Sequence, residues 1–286
     1  MERPIVGIGE ILFDLLPSGA QLGGAPANFA YHVCRLGGRG VAVSAIGKDR
    51  LGEEVKTILA SKKLEAVIPE VDYPTGVVHV DLDGRGVPQY TIVEDVAWDN
   101  VPYTPEMKEL AVRAAAVCFG TLAQRSSVTR ASIMKFIADM PSDSLKVYDI
   151  NLRQHFYSRE IIEDSLRVAD ILKINDEEIA VVSDLLGLET SPEKACRSLI
   201  SIYDLRLVIL TKGADGSEVV TPDAKYSVEC PKVKIADTVG AGDSFTAAFV
   251  QAYLRGDSIE DCHNVANRIS AFVCSRSGAM PDYDVA

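Results

Sequence analysis

The apolar positions of this chain fall into two alternating rhythms. Short, nearly continuous β-rich runs occur at 5–9, 41–46, 117–119, 146–150, 171–174 and 207–210, and longer stretches with helical spacing lie between them. Runs that are apolar on both faces, separated by amphipathic helices, predict a parallel sheet covered on both sides, with ligands at the carboxyl ends of its strands. Near the end of the chain, Phe245, Ala248, Phe249, Ala252 and Tyr253 repeat at i, i+3, i+4, i+7 and i+8, and Gly256 supplies a stop. An earlier helix reads from QLGGAPANFAYHVCRLGG, with Pro26 in its first turn and Gly37 and Gly38 at its end. Ala27, Ala30 and Cys34 share its buried face, which leaves Asn28 free to project beside the preceding glycine turn. In the last helical stretch Ile259, Cys262, Ala266, Ile269 and Val273 share one face and Asn267 lies on another.

Between Thr75 and Trp98 the rhythm changes to strict alternation. TGVVHVDL, the turn DGRG and VPQYTIV predict an antiparallel hairpin, either a small lid or an edge extension of the main sheet. No repeat, low-complexity tract or composition break marks a linker, so residues 1–286 read as one large α/β domain with a small appendage.

Charge narrows the partners. With 29 Lys and Arg against 41 Asp and Glu the formal charge is −12, which argues against a nucleic-acid groove or an anionic membrane surface. MERPIVGIGE lacks a basic region followed by an apolar signal core, and no apolar run approaches a membrane span, so a cytoplasmic location is expected. Six cysteines without CxxC spacing read as reduced core thiols, and four dispersed histidines form no metal or triad pattern.

The candidate chemistry sits at strand and helix ends. In DTVGAGDSF, the small residues Gly240, Ala241 and Gly242 enter a helix, so their unpaired N–H groups face outward at the positive end of its dipole. Asp243 places a carboxylate directly beside this anion site. Like charges repel, so the pair is ill-suited to hold a static anion but well suited to phosphoryl transfer, where a carboxylate orients and deprotonates an attacking hydroxyl. Taken alone, GAGD is better read as a turn and a helix cap.

The first strand leads into GIGEILFDLLP, which fails as a dinucleotide fingerprint because Leu12 stands where the third glycine belongs; no GxxxxGK[ST] loop occurs either. The segment leaves Glu10 and Asp14 near a strand end, where a carboxylate can accept hydrogen bonds from sugar hydroxyls or simply face solvent. In VYDINLRQ, Asp149, Asn151 and Arg153 share one side if the chain stays extended, and suit phosphate oxygens, a polar substrate or a surface ion pair. Asn175 followed by Asp176, Glu177 and Glu178 makes a helix N-cap with an acidic first turn. Thr211, Gly213 and Gly216 form a strand-end turn.

Taken together, DTVGAGDSFTAAF, GGAPANFA with its LGG, and AIGKDRLGEEV with Gly47, Asp49 and Gly52 resemble the signatures of the ribokinase-type (PfkB) sugar kinase family, fructokinases most of all. The likeness runs from Gly9 to Gly278 with the motifs in the family's order. It implies a ribokinase-like fold: a central, mostly parallel sheet with helices on both faces and a small β lid from segments near 12–24 and 72–98 that excludes water from the activated phosphate. It further implies that Gly240, Ala241 and Gly242 form the anion hole and that Asp243 is the base. Asp14, Gly23, Gly24, Asn28 and Arg153 would bind the sugar, and Thr211, Gly213, Gly216 and Asn267 the ATP. Asn175 and Glu178 would organise magnesium through water, and Asp237, Val239 and Gly278 would hold potassium.

The expected function is thus ATP-dependent phosphorylation of a small sugar, D-fructose to D-fructose 6-phosphate, with ATP, Mg2+ and possible K+ as cofactors. Ribose, 2-keto-3-deoxygluconate and nucleosides are the alternative acceptors, and a non-catalytic sugar sensor is the alternative of a different class. Expected partners are a small-molecule sugar and ATP, with neither nucleic acid nor membrane, and a homodimer through the lid stays open.

Overall fold

The structure is a computed structural model describing residues 2–16, 19–82 and 88–283. Its nine-stranded main sheet runs, edge to edge, Lys225–Val228, Ser217–Val220, Leu207–Thr211, Ile171–Asn175, Leu145–Asp149, Ala116–Phe119, Ile5–Ile8, Gly40–Val43 and Glu65–Val67. The seven strands from Leu207–Thr211 to Glu65–Val67 pair in parallel, and Ser217–Val220 pairs antiparallel with both of its neighbours, Leu207–Thr211 and Lys225–Val228.

All six sequence-expected runs are strands of this sheet, and successive residues explain why they read as continuously apolar. Val6, Ile8, Val117, Phe119, Leu172 and Ile174 pack into one core, while Ile5, Ala116, Cys118 and Ile171 pack into another on the opposite face. The 41–46 run is shorter than expected: Gly40–Val43 stays in the sheet, and Ile46–Gly47 pairs with Glu70–Val71 in a separate two-stranded sheet. The edge strands Glu65–Val67 and Lys225–Val228 escaped sequence reading because they are short and carry no continuous apolar run.

Helices Ser127–Asp139, Arg159–Val168, Asp176–Leu186 and Pro192–Tyr203 cover the first core. Helices Ala25–Arg35, Ala241–Arg255 and Ile259–Cys274 cover the second. Glycines set how closely Ala25–Arg35 approaches. A Cβ on Gly7 would stand 2.1 Å from the Pro26 carbonyl oxygen, and one on Gly40 would stand 1.9 Å from that of Ala30. The helix therefore rests directly on the backbone of two parallel strands.

A separate four-stranded sheet runs Gly19–Gly23, Leu12–Leu16, Gly76–Leu82, Pro88–Ile92, so the expected hairpin is not an extension of the main sheet. The expected turn at 83–86 lies outside the described residues. Leu12–Leu16 joins Gly76–Leu82 in parallel, a pairing of distant segments that alternation alone does not reveal. One face of this sheet packs Val78, Val80 and Ile92 against Val96 and Trp98. Where the last strand leaves the sheet, Arg125 donates to the Val93 carbonyl, pairs with both oxygens of Asp99 at 2.8 Å, and lies 4.0 Å from the Trp98 ring and 4.5 Å from that of Phe156.

The stretch containing Gly47, Asp49 and Gly52 is a structural clasp. Asp49 accepts from the backbone N–H groups of Gly52 and Thr75 and from the Thr75 hydroxyl, which fixes helix Arg50–Ser61 to the start of Gly76–Leu82. No helix among the described residues is long and apolar enough to cross a membrane.

The close approach at Gly7 makes a direct test of the packing. Gly7→Ala should lower the unfolding free energy by about 2–3 kcal/mol, the upper range for overpacking, because the obstructing atom is backbone. Urea unfolding measures it, and an unchanged midpoint would contradict the helix position.

Candidate active site

The carboxyl ends of the parallel strands bring Glu10, Asp149, Lys173, Asn175 and Thr211 to one side of the sheet. Register places Asp149 beside Lys173 and Asn175 beside Thr211. Glu10, Cys118, Thr121, Asp149, Asn151 and Asp243 line a single cleft there.

Helix Ala241–Arg255 points its N-terminus at this cleft. Gly240 adopts φ +78° and no side chain caps the helix; the Ala241 N–H donates to the Thr238 carbonyl at 3.3 Å, just outside the helix. Asp243 is in that first turn. Its Oδ2 accepts a 2.8 Å hydrogen bond from Asn28 Nδ2, while Asn28 Oδ1 is buried and has no partner among the described residues.

Burial raises the Asp243 pKa, and the charge of Asp149 adds to this; the Asn28 hydrogen bond, Lys173 and Arg153 act against them, leaving it at about 6. Burial likewise lifts Glu10 to about 7, against hydrogen bonds from its own N–H and that of Ala25.

Sequence reasoning missed the cation at the centre of this group. Lys173 is buried between the apolar residues Leu172 and Ile174 of strand Ile171–Asn175, with its Nζ 3.0 Å from Asp149 Oδ1. A Cβ on Gly242 would lie 3.0 Å from the same Nζ, so the ammonium sits against the Gly240 loop. Burial alone would lower the Lys173 pKa, but Asp149, Glu178 and Asp243 outweigh it and hold the group above its usual value, hence charged. Thr246 links the two ends of this arrangement, its hydroxyl 2.9 Å from Asp149 Oδ2 and 3.0 Å from the Gly242 carbonyl. A lone lysine between apolar residues was the available signal.

The expected alternation through Asp149, Asn151 and Arg153 is corrected. The strand ends at Asp149, whose carboxylate turns inward to Lys173 and Thr246, and Asn151 takes φ +44°, which breaks the extended path. Arg153 is exposed and donates to the Leu152 carbonyl, and its charge works against the burial that raises the pKa values of Glu10, Asp14 and Asp243.

Asp14, half-buried on the second sheet, is raised by burial and lowered by Arg153. A Cβ on Gly23 would stand 2.9 Å from Asp14 Oδ2, and one on Gly24, at φ +117°, would stand 2.4 Å from the Glu10 carbonyl oxygen. These glycines let the second sheet and helix Ala25–Arg35 meet over the carboxylates.

Asn175 and Glu178 form a reciprocal capping box. The second Glu178 oxygen accepts from Leu152 N at 2.8 Å. Thr211 leads into the turn at Gly213 and Gly216, closed by Lys212 N to Gly216 O at 2.8 Å. Asn267 is buried behind that turn, its amide engaged with the Ser217 hydroxyl and the His263 carbonyl. That placement supports the turn from below and does not present the amide to open space. Asp237 accepts from Val239 N and Gly278 N, both at 3.0 Å, and so clasps the two loops around Gly240.

The pattern of the pfkB family carbohydrate kinases matches residues 19–285. The chain belongs to that family. A putative sugar kinase of Pyrococcus horikoshii is 28% identical over 96% of this chain and 91% of its own length, and its crystal structure in complex with ATP superposes with a TM-score of 0.82, covering 96% of this chain and 94% of that one. A probable fructokinase-2 of Arabidopsis thaliana is 29% identical over 97% of this chain and 92% of its own. A Vibrio cholerae fructokinase double mutant, in a form with fructose, ADP and potassium ion bound, is 25% identical with a TM-score of 0.82, covering 98% and 94% of the two chains. The mostly parallel sheet with helices on both faces is the ribokinase-like fold expected from the sequence.

The charges around Asp243 should move its titration in opposite directions. Lys173→Met removes a cation that favours the carboxylate and should raise the Asp243 pKa, whereas Asp149→Asn removes an anion that disfavours it and should lower it. The carboxyl carbon-13 resonance of Asp243 reports both, and shifts of the same sign would contradict this electrostatic picture.

Proposed function

We propose that the protein phosphorylates a small sugar at a primary hydroxyl at the expense of ATP, with D-fructose as acceptor and D-fructose 6-phosphate as product. The observation that carries this reading is the Asp243 carboxylate, held by Asn28 at an uncapped helix N-terminus with the Lys173 ammonium against the same loop. Asp243 takes the proton of the attacking hydroxyl. With a pKa of about 6 it is mostly ionised at neutral pH yet a stronger base than an ordinary aspartate. The N–H groups of the loop formed by Gly240, Ala241 and Gly242 face the transferring phosphoryl group, and Lys173 adds fixed positive charge where negative charge accumulates.

In this reading Asp14, Gly23, Gly24, Asn28 and Arg153 surround the sugar. The second sheet, which carries Asp14 and Gly23, acts as a lid that excludes water from the phosphoryl group. The nucleotide lies along Thr211, Gly213 and Gly216, with Asn267 bracing the turn. Support comes from the two related proteins whose structures contain ATP, or fructose with ADP and a potassium ion.

In this reading magnesium accompanies the ATP; both Glu178 oxygens already accept backbone N–H groups, which leaves this carboxylate to reach an ion through water. No cluster of three or more His, Cys, Asp or Glu side chains among the described residues converges as metal ligands. Mg2+ keeps several waters and binds one or two carboxylates together with phosphates. Glu178, beside Asn175, would hold it through water; the ion would neutralise phosphate charge. Asp237 with the carbonyls of Val239 and Gly278 would hold potassium, bracing the loop rather than touching substrate.

An acidic sugar is the second reading. It is favoured by Arg153, which among the described residues hydrogen-bonds only to the Leu152 carbonyl and so keeps donors for a carboxylate.

Asp243→Asn should keep the fold and nucleotide binding but lower kcat by at least about a hundredfold, the usual range for removing a general base. For the parent protein kcat/KM should fall about tenfold per pH unit below pH 6 as Asp243 becomes protonated and level off above it. A variant with near-parental kcat, or a flat profile down to pH 5, would overturn the assignment.

Substrate choice is read by coupled ADP release over fructose, ribose, 2-keto-3-deoxygluconate and nucleosides. Fructose should give the highest kcat/KM, and Asp14→Ala should raise the KM for fructose far more than for ATP. A better acceptor in the panel would displace fructose and leave the kinase reading standing; no turnover with any acceptor would leave a sugar sensor.

A further inference from the structure

We propose that residues 279–283 form a strap that positions the Gly240 loop, and that His32 is the positioning residue through which helix Ala25–Arg35 holds that strap. The inference rests on the kinase reading above and deepens it. Gly240, in its left-handed conformation, presses against Ala279: a Cβ added to it would stand 2.7 Å from the Ala279 carbonyl oxygen and 2.8 Å from its Cα. The Gly240 loop therefore takes its position from the backbone of Ala279.

Ala279 is held in turn from its other side. Its carbonyl lies 2.9 Å from His32 Nε2, and a carbonyl only accepts, so Nε2 carries the hydrogen. Nδ1 is then the acceptor, and the Tyr283 hydroxyl donates to it at 2.8 Å. Both ring nitrogens are thereby committed and the tautomer is fixed. Burial lowers the His32 pKa to about 4, so the ring is neutral at neutral pH.

The neighbouring contacts repeat the pattern. The Tyr31 hydroxyl donates to the Pro281 carbonyl at 2.8 Å, Lys62 Nζ to the Met280 carbonyl at 3.0 Å, and Arg35 to the Tyr283 carbonyl. On the opposite flank, Asp237 joins Gly278 to Val239.

The position of His32 on its helix gives the strap its functional meaning. Asn28 and His32 are four residues apart and so lie on one stripe. Asn28 binds the Asp243 carboxylate, and His32 binds the backing of Gly240. One rigid helix thus sets both the base and the loop whose N–H groups must face the phosphoryl group. His32 touches neither reacting group; it acts through Ala279.

His32→Leu removes the donor to Ala279 and keeps an apolar side chain of similar size, whereas His32→Gln restores an N–H at comparable reach. In His32→Leu, kcat should fall about ten- to hundredfold, as for an ångström-scale misplacement, with the KM for the sugar changed by less than about twofold. Affinity for magnesium ADP alone should be unchanged. Affinity for magnesium ADP with aluminium fluoride, a mimic of the transferring phosphoryl group, should fall in step with kcat. His32→Gln should recover most of both. Tyr31→Phe with Tyr283→Phe removes only two strap hydroxyls and should show the same split at smaller amplitude, which keeps the test open if His32→Leu does not fold.

A folded variant whose kcat stays within about threefold of the parent, or which loses affinity equally for ADP and for ADP with aluminium fluoride, overturns the strap. A parent protein that transfers no phosphoryl group to any acceptor is a separate result and overturns the kinase reading instead.

Discussion

The hydrogen bond from Asn28 to Asp243 joins residues 215 positions apart, and most of the architecture is needed to make it. Helix Ala25–Arg35 must lie on strands Ile5–Ile8 and Gly40–Val43 at a distance that only glycines at 7 and 40 permit. Helix Ala241–Arg255 must cover the same face of the sheet, beside it. The carboxylate and its amide partner belong to opposite ends of the chain, so neither half alone contains the site. Closing so long a loop has an entropic cost that a single hydrogen bond does not offset; the apolar packing of the two helices on the sheet does so. Packing makes the site, and the hydrogen bond sets its geometry within the limits packing leaves.

Charge works against that packing. Glu10, Asp149, Glu178 and Asp243 are all buried or nearly so, with Lys173 the ammonium among them. Such a group does little for stability, because desolvation offsets much of the attraction. Its consequence is chemical. Burial, reinforced by the charge of Asp149, raises the Asp243 pKa, while the Asn28 hydrogen bond and Lys173 keep it low enough for ionisation at neutral pH. The sequence suggests an aspartate of ordinary, weak basicity; the folded environment makes it stronger.

What could be read beforehand was whatever a local stretch of sequence contains. The Gly240 loop, the Asn175 cap and the glycine turn after Thr211 are properties of a few consecutive residues, and the apolar runs are properties of single strands. Lys173 was overlooked because its meaning lies in its neighbours: register sets it beside Asp149, and a gap at Gly242 admits its ammonium. Asn151 shows the opposite error. Alternation was projected past the end of the strand, where the backbone turns into the left-handed region. Asn267 could be placed on a helix face, but not told that Ser217 and the His263 carbonyl would occupy its amide. Burial and register are tertiary facts, and these residues take their roles from both.

Under the proposed function, Asn28 would also constrain what can occupy the cleft. An ionised Asp243 can only accept, so the amide must turn its nitrogen toward Asp243 and leave Oδ1, an acceptor, for anything else. Asp14, when ionised, is again an acceptor. This side of the cleft therefore asks its ligand for hydrogen-bond donors, and a carboxylate or phosphate placed there would leave Asn28 Oδ1 unpaired and face like charge. Arg153, which supplies donors, makes the opposite demand. A neutral polyol meets the first demand through several hydroxyls and the second through the lone pairs of another. An acidic sugar meets both only if its carboxylate points toward Arg153 and its hydroxyls toward Asn28 and Asp14. If the cleft binds a sugar as proposed, the two acceptors would fix its orientation, and the guanidinium would distinguish a neutral sugar from an acidic one.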